Sequence, residues 1–178
     1  ISGTIYEEQC YIGTLNKNLT NSRYLKTTDK KNKEDFFQEM RQLSLLCHPC
    51  VTTVMGADVD KAFPMLVMEY MAFGSLYAVI HNPTLSLSGR MVIDILSDIV
   101  QGMLFLHSSD PPLLHADLKA QNVLVDSHFR AKVADFGLTG KVGKSDSASG
   151  TPFWMAPELL RGESTNTKAS DIFSFGDM

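Results

Sequence analysis

The sequence predicts an α+β fold in two parts, a small strand-rich lobe followed by a larger, mainly helical one. Three observations carry this. Short apolar patches separated by turn residues fill the first 68 positions, a long helical periodicity occupies 91–107, and a bend-forming Phe73-Gly74-Ser75 lies between them.

Each element has its own local reason. Cys10-Tyr11-Ile12 and Arg23-Tyr24-Leu25 read as strands, and the polar stretch 16–22 between them has hairpin-loop chemistry. Residues 33–47 space Phe36, Met40, Leu43 and Cys47 as one face of a helix, which must have ended by Pro49. The apolar run 65–68 reads as a buried strand. Within 91–107, Val92, Leu96, Ile99, Val100, Met103 and Leu106 fall on one helical face, with Ser86 or Ser88 placed to cap it. Two short strands follow at 123–125 and 131–134, joined by the turn Asp126-Ser127-His128, and the Gly-, Ser- and Lys-rich stretch 140–150 reads as a mobile loop. The expected division is a first lobe over 1–68, a hinge over 69–73 and a second lobe over 74–178.

Bulk properties narrow the function classes. The 178 residues are 44% hydrophobic and 20% charged, ordinary for a soluble globular chain. A net charge of −4 with no clustered basic run argues against a nucleic-acid partner. No apolar run approaches the roughly 20 residues needed to span a bilayer, so no membrane segment is expected. Three cysteines cannot build a disulfide framework, which favours a reducing, cytoplasmic setting.

The residues that carry chemistry are concentrated in the second half. His115-Ala116-Asp117-Leu118-Lys119-Ala120-Gln121-Asn122 is followed by Asp135-Phe136-Gly137 and then by Gly150-Thr151-Pro152-Phe153-Trp154-Met155-Ala156-Pro157-Glu158. This order and spacing resembles the catalytic half of a eukaryotic protein kinase, with its H-R-D-L-x-x-x-N, D-F-G and A-P-E signatures. Trp154 to Glu158 and Ser170-Asp171-Ile172-Phe173-Ser174-Phe175-Gly176 are most similar to the tyrosine-kinase-like group, and Lys119 with Thr151 resembles its serine/threonine-type members. The resemblance covers nearly the whole chain, most strongly from about Phe36 onward.

The resemblance implies a bilobal fold and transfer of the ATP γ-phosphate, with Mg²⁺, to a protein hydroxyl. Asp117 would orient the substrate hydroxyl and accept its proton, and Lys119 would neutralise the γ-phosphate. The Thr151 hydroxyl would bridge those two side chains. Asn122 and Asp135 would supply the hard oxygen ligands that Mg²⁺ requires. Glu39 shares a helical face with Phe36 and Leu43, so its carboxylate needs a partner. Lys26 is the candidate, and the pair would hold the α- and β-phosphates. Met68 would be the gatekeeper, Glu69 and Met71 would offer hinge backbone groups to adenine, and Leu124 would floor the ring. Leu43, Val54, His115 and Phe136 would stack as a spine anchored on Asp171. Kinase domains continue past the residue matching Met178, so further segments are expected in the parent chain, including an arginine partner for Glu158.

Several positions depart from the pattern. The stretch Gly3-Thr4-Ile5-Tyr6-Glu7-Glu8 keeps one glycine where kinases use a glycine-rich loop, and it sets Glu7 and Glu8 near the phosphates. Tyr24 stands where a small residue packs on adenine. These departures support the alternative of a pseudokinase, a non-catalytic regulatory or binding module. Ala116 replaces the arginine that normally pairs with an activation-loop phosphate, so phosphorylation of Ser145, Ser147 or Ser149 is expected to matter less. Cys47-His48-Pro49-Cys50 is a C-x-x-C, but it closes a helix where a redox site should open one, and no second pair completes a zinc site.

Overall fold

The computed structural model describes residues 10–15, 18–24, 44–58, 65–136 and 150–178. The chain divides into two compact units: Ile1–Cys47 with Thr52–Met71, and His48–Val51 with Ala72–Met178.

In the first unit, four antiparallel strands form a sheet: β1 (Cys10–Leu15), β2 (Asn18–Tyr24), β3 (Val54–Asp58) and β4 (Met65–Glu69), in the order β1-β2-β4-β3. Strand β2 begins earlier than the sequence suggests. Residues 18–22, expected in a loop, pair with β1, and Leu15 lies opposite Asn18. Cross-strand pairing here overrides the turn preference of Asn18, Asn21 and Ser22, which is the usual fate of weak β propensities. Strand β3 was not foreseen, because Gly56 interrupts its apolar run. Its ladder with β4 shifts register between Val54 and Gly56, as a bulge does. The helix expected over 33–47 lies mostly outside the described residues. Its far end is corrected: Ser44 and Leu45 form a turn, and Cys47 is not helical. Pro49 disfavours helical backbone at His48.

The second unit is built around the helix α2 (Gly89–His107) and a three-stranded sheet of β5 (Gly74–Ser75), β6 (Val123–Val125) and β7 (Ala131–Val133). Gly74 takes φ +67°, the left-handed turn that a glycine supplies. Ser75 then caps the short helix α1 (Leu76–Ile80) by accepting from the Ala78 N–H at 3.2 Å. Ser88, not Ser86, caps α2, accepting from the Met91 N–H at 3.3 Å. The β6–β7 turn is tied by Asp126, whose Oδ1 accepts from the N–H of His128 at 2.7 Å and of Arg130 at 3.0 Å. Strand β7 stops at Val133, because the Ala134 N–H turns to the Asn122 carbonyl at 2.9 Å.

The buried face of α2 differs from the expected one. Ile95, Asp98, Ile99, Gly102, Met103 and Leu106 are buried, whereas Val92, Leu96 and Val100 are 40–48% exposed. Apolar residues surround most of this helix, so hydrophobicity alone does not choose a face. Gly102 does: a Cβ there would stand 2.5 Å from the Cys50 carbonyl oxygen and 2.9 Å from a Val133 methyl. The bare backbone lets the helix close onto the segment 48–51 and onto β7. That segment, assigned to the first lobe by sequence, sits in the second unit, with the Val133 N–H donating to the Cys50 carbonyl at 2.9 Å and His48 stacked on Phe105.

After the catalytic stretch come two further helices, α3 (Pro157–Leu160) and α4 (Lys168–Gly176). Thr167 and Ser170 form a reciprocal capping box that starts α4 and sets Asp171 in its first turn. No helix among the described residues is long and apolar enough to cross a membrane.

Candidate active site

The residues gathered around Asp117 lie within the second unit. Asp171, 2% exposed, is the anchor. Its Oδ2 accepts from the His115 N–H at 2.9 Å and lies 2.8 Å from His107 Nε2, while Oδ1 accepts from the Ala116 N–H at 2.8 Å. One carboxylate on α4 thereby fixes the backbone of the loop that carries Asp117. Ala116 is held at φ +66°, a conformation that costs a residue with a side chain and persists where its surroundings impose it.

His115 is fully buried. Its Nε2 is 3.0 Å from the Ala134 carbonyl and its Nδ1 accepts from the Asp117 N–H at 3.3 Å, so the proton resides on Nε2. Burial pushes its pKa down and keeps the imidazole neutral, despite the carboxylates of Asp171, Asp135 and Asp117. Its ring meets Phe136 edge-on at 6.4 Å. His115, Phe136 and Asp171 of the expected spine are thus adjacent. Leu43 lies outside the described residues, and Val54 belongs to the first unit.

The Asp117 carboxylate is fully engaged. Oδ1 accepts from the Thr151 N–H at 2.8 Å and the Thr151 hydroxyl at 2.6 Å; Oδ2 accepts from Lys119 Nζ at 2.6 Å and Asn122 Nδ2 at 3.1 Å. Lys119 Nζ also donates to the Thr151 hydroxyl at 2.6 Å, so that hydroxyl bridges the acid and the base. Burial alone would raise the Asp117 pKa. The hydrogen bonds from Lys119 and Thr151, helped by the lysine charge, outweigh it and leave the carboxyl below its ordinary range. The group is therefore a carboxylate at neutral pH, half-buried and aimed by four donors.

Asn122 donates its amide N–H also to the Asp117 carbonyl at 2.8 Å, which spends Nδ2 and orients Oδ1 away as an acceptor. Asp135 follows Ala134, whose N–H holds the Asn122 carbonyl, and it takes φ +58°. A carboxylate and an amide oxygen are hard donors of the kind Mg²⁺ takes. No cluster of three or more His, Cys, Asp or Glu side chains that could hold a metal occurs among the described residues. This donor set fits an ion that completes its shell with phosphate oxygens and water, as Mg²⁺ does, rather than an all-protein cage.

The other expected site residues divide by location. Leu124 lies on β6, half-buried, in the second unit. Met68, Glu69 and Met71 belong to the first unit, where Met68 and Met71 are buried. The Glu69 carboxylate accepts from the Thr53 N–H at 2.7 Å, and its own N–H donates to the Thr53 carbonyl at 3.2 Å. Lys26 and Glu39 lie outside the described residues, as do Gly3 to Glu8. The Tyr24 backbone pairs with Met65.

Sequence reasoning missed two supports. One is His107, the last residue of α2, whose ring reaches Asp171; nothing in its local pattern marks it. The other is Asp98, 1% exposed, gripped by Arg130 through two hydrogen bonds, the Nε one at 2.8 Å, and by the Ala131 N–H at 3.0 Å. A carboxylate buried on the same helix face as Ile95 and Ile99 needs a partner, the same reasoning applied to Glu39. Cys50 donates its thiol to Asp98 at 3.7 Å, and burial, with Asp98 adding to it, pushes that thiol's pKa up. Buried and bonded to Asp98, Cys50 is not the exposed, low-pKa thiol that a redox site needs.

Comparison with known proteins agrees with this geometry. The sequence profile described as "Protein tyrosine and serine/threonine kinase" matches residues 4–178. The chain is 40% identical over 155 residues to the probable serine/threonine-protein kinase drkC of Dictyostelium discoideum, covering 82% of this chain and 21% of that protein. It is 40% identical over 148 residues to the serine/threonine-protein kinase CTR1 of Arabidopsis thaliana, covering 80% of this chain and 18% of that one. The dual specificity protein kinase shkA of Dictyostelium discoideum is 35% identical over 182 residues, covering 98% of this chain and 33% of that protein. The chain thus spans about a fifth to a third of the length of these relatives. It belongs to the protein tyrosine and serine/threonine kinase family.

Proposed function

We propose that this chain carries the phosphotransfer site of a serine/threonine protein kinase, which moves the γ-phosphate of ATP to hydroxyl groups of a protein substrate in intracellular signalling. The observation that carries the reading is the Asp117 carboxylate, kept ionised and aimed by Lys119, Thr151 and Asn122. A substrate hydroxyl brought to Asp117 finds a positioned acceptor for its proton, and Lys119 sets a cation beside the transferring phosphoryl group. A structural role alone gives no reason to assemble this carboxylate, ammonium and hydroxyl together.

Asn122 and Asp135 are the residues that would hold Mg²⁺, which when bound neutralises phosphate charge. Lys26 with Glu39 would hold the α- and β-phosphates, and Met68, Glu69, Met71 and Leu124 would meet adenine. The pseudokinase alternative rests on Ile5, Glu7, Glu8 and Tyr24, which would crowd or repel a nucleotide. Calorimetric titration of the full-length protein with Mg-ATP separates the two. Micromolar binding that is lost on Asp135→Asn supports the enzyme; a folded protein that does not bind supports the non-catalytic module.

A further inference from the structure

We propose that Gly150 is a positioning residue whose missing side chain seats Thr151 on Asp117 and Lys119, a role that rests on the kinase reading above. Thr151 delivers both its N–H and its hydroxyl to Asp117 Oδ1, at 2.8 and 2.6 Å, so its backbone must approach the loop as closely as its side chain does. The residue before it sets that approach. Gly150 has φ +138°, which residues with a side chain rarely adopt. A Cβ at this position would lie 2.8 Å from the Ala116 carbonyl oxygen, nearer than Cβ atoms come, and 3.2 Å from the Met155 side chain.

The methionine end can yield, but the carbonyl cannot. Ala116 is itself pinned, its N–H on Asp171 at 2.8 Å and its backbone at φ +66°. The far side of Thr151 is fixed too, since its carbonyl accepts from the Trp154 N–H at 2.9 Å. A side chain at 150 therefore has to push Gly150 and Thr151 away from the loop. Such a side chain would meet a steric and a torsional penalty together.

The test is a double-mutant cycle in the full-length protein, with steady-state kinetics and amide hydrogen exchange. Gly150→Ala should lower kcat about 10- to 100-fold with the KM for ATP unchanged, the cost of a misplacement of about 1 Å. Thr151→Val should lower kcat comparably and Thr151→Ser should retain most of it. The double variant Gly150→Ala, Thr151→Val should be no slower than Thr151→Val alone, because Gly150 acts through the threonine. In exchange, the Thr151 amide should lose its protection in Gly150→Ala while the Ala116 amide keeps its own. Losses that multiply in the double variant, or a Gly150→Ala enzyme as fast as wild type, overturn the proposal. If Gly150→Ala does not fold, the wild-type protein decides: a Thr151 amide as protected as that of Ala116 supports the seating, and one exchanging like an open loop overturns it. A wild type that folds yet transfers no phosphate defeats the kinase reading and the catalytic role with it, while Thr151 exchange still reports the seating separately.

Discussion

At the residue scale, the decisive feature is that Asp117 gathers its own donors. Hydrogen bonds from neighbouring Lys119 and from distant Thr151 together pull its pKa below the ordinary carboxylate value of about 3.9 despite burial. Two outcomes follow. Asp117→Asn keeps the shape but removes the proton acceptor, and it should lower kcat about 10²–10⁴-fold with little change in the KM for ATP, measured by steady-state kinetics. Because the folded pKa is depressed, Asp117 stays charged as pH falls through 6 and 5. The acidic limb of the kcat profile should therefore not set in until below about pH 4; a limb near pH 6 would mean that another group, or a raised Asp117, controls the rate. The residue types and spacing of this cluster were legible in the sequence, including the Thr151 bridge. What was not legible is who holds it: the His107 ring and the steric demand at Gly150 depend on contacts 64 and 34 residues away in the chain, and no local pattern encodes them.

At the scale of elements, α2 shows why a helix can be foreseen while its orientation is not. Its periodicity and its Ser88 cap gave its existence and its start. With apolar side chains on most sides, the face was chosen by Gly102 and by the Asp98–Arg130 pair, both of which an apolar count passes over. That pair ties α2 to the β6–β7 hairpin, which leads into Asp135. Arg130→Met would leave buried Asp98 with only the Ala131 N–H and the Cys50 thiol; because the Arg130 side chain is itself 60% exposed, the fold should lose about 1–3 kcal/mol in chemical denaturation. Burial would raise the Asp98 pKa, but the Arg130 and Ala131 hydrogen bonds lower it below the unfolded value. Its contribution is therefore fully present above the ordinary carboxylate range and fades as pH drops through the depressed value. The gap in melting temperature between wild type and Asp98→Asn should be widest near pH 7 and narrow below about pH 4. A gap that stays constant with pH would show that the carboxylate's charge is not what stabilises the contact.

At the scale of the whole molecule, the α+β class was legible because strand patterns dominate before residue 70 and the long helical period of α2 follows them. The assignment of residues to units was less so. His48–Val51 lies between first-unit segments in sequence yet docks beside β7, since its backbone supplies the carbonyl that Val133 needs. If the cluster around Asp117 transfers phosphate, phosphate incorporation reports it without an intermediate step. The full-length protein, with ATP labelled at the γ-phosphate and Mg²⁺, is given a generic protein substrate beside its Asp117→Asn variant, and phosphoamino acids are identified afterwards. Label on serine and threonine, present with wild type and absent with Asp117→Asn, is the predicted result. A folded wild-type protein that binds Mg-ATP but transfers no label, or a variant that transfers as well as wild type, would contradict the account.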